Sequence, residues 1–169
     1  MLRALTLALA LGLTGCATSA PMFMNEHGSR PLHYELQGLS HQGVDIMTAI
    51  GTPVRAARDG QVIWLEDRFD GQWLHPNIVI RHTGDVDIFY YHIDRVQIKL
   101  GDRVKQGDII AYTARTGKQV PNQPGVFRGH PHLHMETRDP SGRRFDPKTL
   151  PFTCPDQGGQ WWWPVGCGR

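Results

Sequence analysis

Short apolar runs alternate with turn signals along most of the chain. VDIMTAI (44–50) is stopped by Gly51-Thr52-Pro53, and VRAA (54–57) by Arg58-Asp59-Gly60. QVIWLE (61–66) gives way to a polar loop around Asp70-Gly71, and NIVIRH (77–82) ends at Thr83-Gly84-Asp85. DIFYYHI (87–93) precedes a connection, and DIIAYTA (108–114) ends at Thr116-Gly117. Runs of this length, punctuated by Gly, Asp and Pro, read as strands. No segment carries a helical period of any length. The pattern predicts an all-β domain built from a small antiparallel sheet core.

Composition narrows this picture. A chain of 169 residues, 40% of them hydrophobic, suits one globular domain with a sizeable core. Nineteen glycines and twelve prolines agree with many turns. A net charge of +2 with no basic run argues against a nucleic-acid partner.

The first residues stand apart. In MLRALTLALALGLTGC a basic residue, Arg3, precedes an apolar run from Ala4 to Leu13 and then small residues, the order of a secretory signal. The run is too short to span a bilayer. Leu13-Thr14-Gly15-Cys16 resembles the lipobox of bacterial lipoproteins, which implies Cys16 as the lipid-modified first residue of the mature chain. An ordinary signal with an incidental cysteine is the alternative. Ala17 after the cysteine implies, by the same resemblance, the outer membrane, with the protein facing the periplasm. The expected organisation is a signal peptide over 1–15, a tether over 16–29, the domain over 30–150 and a Cys/Trp-rich extension over 151–169. The tether should reach at most roughly 45 Å. In an exported protein Cys154 and Cys167 are expected to pair as a disulfide, with a free or metal-bound pair as the alternative.

HPHLHMET (130–137) puts three of the nine histidines into five positions. On a strand, His130, His132 and His134 would all face one way, which makes poor core and a plausible metal site. Pro131 disturbs the strand beside His130, which reads as a surface residue. His41 and Asp45 form a second candidate. In a straight strand they share a face but lie roughly 13 Å apart, too far for one zinc with bonds of about 2 Å. A bend at Gly43 would close that gap. His92, inside the aromatic strand DIFYYHI, is the third candidate. Two His and one Asp make a three-ligand zinc site with a fourth position open for water, and two His remain for proton work.

HQGVDIMTAIGTPVRAARDGQVI resembles the first signature of the lysostaphin-type (LytM-domain) zinc endopeptidases of bacterial cell walls. NIVIRHTGDVDIFYYHI with VKQGDIIAYTARTG resembles their central part, and PHLHMET their closing motif, so the resemblance runs from Arg30 to Pro147. It implies one zinc per chain on His41, Asp45 and His134, with His92 and His132 as the catalytic non-ligand pair. It also implies a lysostaphin/LytM-like fold of the duplicated-hybrid-motif type, with a groove walled by loops. The implied substrates are peptidoglycan stem peptides. The chain departs from the family pattern between Gly117 and Pro131, where thirteen residues, 118–130, replace a short turn, and in His130 and Met135. The enlarged loop should bear on substrate choice.

Two other readings exist. Some members of the family have lost zinc ligands and activate wall amidases; here all five site positions are intact. VKQGDIIA also suits a lipoyl-carrier type of β-module, but export and the lack of a lipoylation-type lysine turn oppose it.

Overall fold

The computed structural model describes residues 23–25, 41–66, 77–115 and 130–150. Among these the chain forms β1 (Phe23–Asn25), β2 (Val44–Met47), β3 (Pro53–Arg55), β4 (Gly60–Glu66), β5 (Asn77–His82) and β6 (Val86–Tyr91). Then follow β7 (Ile93–Asp94), β8 (Arg103–Val104), β9 (Ile109–Thr113), β10 (His132–Arg138), β11 (Arg144–Phe145) and a 3-10 turn at Pro147–Thr149. Every strand pairing is antiparallel. The larger sheet runs β1-β2-β10-β6-β5-β4-β8, with β11 on the end of β10, and the smaller one runs β3-β9-β7. The all-β reading stands.

Alternation along the strands separates a core face from a chemical face. Val44 and Ile46 of β2, Leu133 and Met135 of β10, Ile88 and Tyr90 of β6, and Ile78 and Ile80 of β5 are all buried. They form one apolar cluster with Val54, Ile93, Ile110 and Ala111 of the smaller sheet. The residues between them, Asp45, His132, His134, Tyr91 and Phe89, therefore point to the opposite side of the larger sheet. A one-residue slip of β10 would exchange the two sets. Register thus places the histidines as firmly as the core.

Phe23–Asn25, within the stretch read as a tether, pairs with β2, Phe23 opposite Ile46 and Asn25 opposite Asp45. A three-residue strand is too short to show periodicity, so its pairing was not legible. The extension over 151–169 and the loop over 116–129 lie outside the described residues, as do Cys16, Cys154 and Cys167.

His82 holds the far side of the core. It is 2% exposed; its Nδ1–H donates to the Asp59 carbonyl at 3.2 Å, and Nε2 accepts from the Tyr90 hydroxyl at 3.2 Å. The Tyr90 oxygen in turn accepts the Ala57 N–H at 3.0 Å. Burial lowers the His82 pKa from 6.5 to about 4. The unfolded chain therefore takes up this proton first as pH falls. The associated stability is fully present above pH 6.5 and is lost as pH drops toward 4, in all about 3 kcal/mol. Chemical denaturation of the metal-free protein should show the wild type losing more stability than His82→Gln across this window. Parallel curves would contradict a neutral buried His82.

Candidate active site

Gly43 is the bend that the sequence called for. Its φ of +144° lies where side chains are disfavoured, and a Cβ there would run into the Met135 carbonyl. The bare backbone lets the chain turn against β10 just before β2 begins. His41 is thereby brought back over Asp45, with Nε2 3.1 Å from Asp45 Oδ1. In β10, His134 stands directly opposite Asp45. Its Nδ1 lies 2.6 Å from Asp45 Oδ1 and 3.2 Å from His41 Nε2.

The donor set fits a metal ion. Two imidazole nitrogens and a carboxylate oxygen converge on one point, and lone pairs so placed repel unless a proton or a cation lies between them. Tetrahedral zinc with bonds near 2 Å has ligand-to-ligand edges of about 3.3 Å. The separations of 3.1 and 3.2 Å are close to that. The third, 2.6 Å, is the length of a short charge-assisted hydrogen bond. Electrostatics agree. Burial pushes the Asp45 carboxyl up, but hydrogen bonds from His134 and His41 outweigh this and hold it far below the carboxylate range. Burial pushes His134 down, yet Asp45 and Glu136 raise it to about 9, so without metal it keeps a proton. The site demands positive charge.

His132 and His92 complete the group. His132 precedes His134 by two residues on the same face of β10, and its Nε2 lies 3.7 Å from Asp45 Oδ1. Its Nδ1–H donates to the His130 carbonyl at 2.8 Å, which fixes the tautomer and leaves the Nε2 lone pair directed into the site. Burial lowers its pKa, with Asp45 opposing. His92 sits where the chain leaves β6 for β7 and so passes from one sheet to the other. Its φ of +63° is a strained conformation for a residue with a side chain. The kink stands its ring 4.7 Å from the His132 ring and 6.1 Å from that of His134. All five histidine and aspartate positions singled out from sequence lie together. His130 lies outside β10 and is exposed.

Two neighbours escaped the sequence reading. The Tyr91 ring packs 5.3 Å from that of His134. Burial, then the Glu136 charge, raises the Tyr91 pKa to about 12, so it remains a phenol. Glu136, with Oε1 3.5 Å from His134 Nε2, follows that residue by two on β10. The same alternation that aligned the histidines could have found it.

The chain is similar in sequence and in fold to known proteins. The family model described as Peptidase family M23 matches residues 39–147. The glycyl-glycine endopeptidase ALE-1 of Staphylococcus capitis is 30% identical over 115 residues, 65% of this chain and 28% of that protein. The peptidoglycan DD-endopeptidase ShyC of Vibrio cholerae is 35% identical over 98 residues, 57% of this chain and 20% of that protein. This chain thus spans less than a third of the length of either relative. The solved catalytic domain of lysostaphin from Staphylococcus simulans superposes with a TM-score of 0.58 at 27% identity, covering 76% of this chain and 90% of that domain. With more than half of its length matched by the family model and its fold shared with a lysostaphin catalytic domain, the chain belongs to peptidase family M23.

Proposed function

We propose that the protein is a zinc-dependent endopeptidase that hydrolyses peptide cross-links of peptidoglycan, with one zinc per chain on His41, Asp45 and His134. The observation that carries this reading is the convergence of His41 Nε2, Asp45 Oδ1 and His134 Nδ1, with His132 Nε2 facing the same carboxylate oxygen. Family membership and the peptidoglycan endopeptidases among its relatives support it. A bond between D-alanine and diaminopimelate is the proposed cleavage point, in keeping with the DD-endopeptidase relative.

A zinc ion in such a site acidifies its water from a pKa of 15.7 to about 7 and polarises a carbonyl. His132, with its Nδ1–H tied to His130, presents Nε2 to take the proton of the attacking water and return it to the leaving amine. His92, held beside it by the kink between the sheets, is placed to donate a hydrogen bond to the oxyanion that develops on the scissile carbonyl. The thirteen-residue stretch 118–130 lies in the connection from β9 to the strand bearing both His132 and His134, so it is the proposed determinant of substrate choice.

Incubation with cross-linked peptidoglycan should release uncross-linked stem peptides, resolved by mass spectrometry, and a chelator should stop the release. Sugar fragments would indicate glycosidase chemistry instead. Zinc bound without any product would point to a regulator of other wall enzymes. Lipid attachment at Cys16 and an outer-membrane site facing the periplasm are part of the same proposal. Cys16→Ser should release the protein from the membrane fraction, and attachment that survives this change would remove the anchor.

A further inference from the structure

Glu136 has no part in the chemistry above, yet it is a carboxylate 9% exposed on the chemical face of β10. Oε1 lies 3.5 Å from His134 Nε2, on the side of the ring turned away from Asp45. Oε2 accepts from Arg144 Nε at 3.0 Å, and from Arg138 Nη2 at 3.4 Å. Arg138 in turn lies 4.2 Å over the Phe89 ring, and Phe89 stacks on Tyr91, whose ring packs against His134. The carboxylate is therefore gripped from behind by two guanidiniums and aimed at one nitrogen of a single imidazole. An imidazole that offers Nδ1 to a metal must carry its proton on Nε2, and that proton then needs an acceptor.

Resting on the reading of His41, Asp45 and His134 as a zinc centre, we propose that Glu136 is a positioning residue that accepts the Nε2–H of His134 and thereby fixes the tautomer, ring angle and basicity of that ligand. An outer carboxylate of this kind typically accounts for about 10–100-fold in metal affinity. Arg144 and Arg138 act one layer further out, by holding the carboxylate in place. A carboxylate kept only to neutralise those two arginines would matter for folding and not for the metal.

The test is competition for zinc between the purified metal-free protein and a chromophoric chelator, well below the melting temperature, for wild type, Glu136→Gln and Glu136→Asp. The amide keeps the shape and loses the charge. The shorter acid keeps the charge and draws it back from Nε2. Both variants should bind zinc about 10–100-fold more weakly than wild type, and the visible spectrum of the cobalt-loaded protein should shift in each. Lower melting temperatures with unchanged zinc affinity and cobalt spectra would overturn the proposal and leave a structural role. Should the amide variant fail to fold, the aspartate variant decides on the same readings. A wild type that binds no zinc would remove the zinc centre itself, a result distinct from variants that match a zinc-binding wild type.

Discussion

Asp45→Ala is expected to give a folded protein that neither retains zinc through purification nor cleaves peptidoglycan. One oxygen, Oδ1, faces His41 at 3.1 Å, His134 at 2.6 Å and His132 at 3.7 Å, so its loss removes a contact from each of these three histidines. Four-ligand structural zinc sites bind with about 10–16 kcal/mol, which places each ligand at on the order of 3 kcal/mol. Zinc affinity should fall by about 100-fold or more on that scale. The metal-free variant offers a second reading. Without the Asp45 carboxylate only Glu136 is left to oppose burial at His134, so its pKa of about 9 should drop and the ring should titrate at lower pH by NMR. Full zinc content in Asp45→Ala would mean that the ion is held elsewhere.

His132→Ala separates chemistry from metal binding. Its Nε2 faces the centre from outside the three converging donors, so zinc affinity should change by less than about threefold, while general acid–base catalysis of this kind contributes about 10²–10⁴ in rate. Single-turnover cleavage of a cross-linked fragment should slow by that factor with zinc content unchanged. Loss of zinc in His132→Ala, with zinc retained in His134→Ala, would reverse the assignment of the two histidines.

The legible part of this protein was the part written in alternation. His132, Leu133, His134 and Met135 declare two faces, and β10 honours both, with the histidines outward and Leu133 and Met135 in the core. The gap between His41 and Asp45 required a bend, and Gly43 was the residue able to make one. What stayed hidden lacks a period of its own. The kink at His92 is a left-handed backbone where the chain passes from β6 of one sheet to β7 of the other, and a histidine gives no sequence sign of that conformation. Glu136 shares the histidines' alternation, but its meaning depends on Arg144, eight residues on and folded back along β11. β1 is a single short contact with an edge that only the assembled sheet presents.

Under the proposed lipid anchor, the pairing of β1 with β2 would set how far the domain can roam. Cys16 and Phe23 are seven residues apart, at most roughly 25 Å of extended chain, where a tether running to residue 29 would have allowed roughly 45 Å. Phe23 lies opposite Ile46, so the leash would be fastened one strand spacing, about 5 Å, from the strand that carries Asp45. Under the proposed lipid anchor, the catalytic face would travel in a shallow layer just above the bilayer. Its search for cross-links would be lateral, and only those parts of the wall that approach the membrane to within that layer would be open to it.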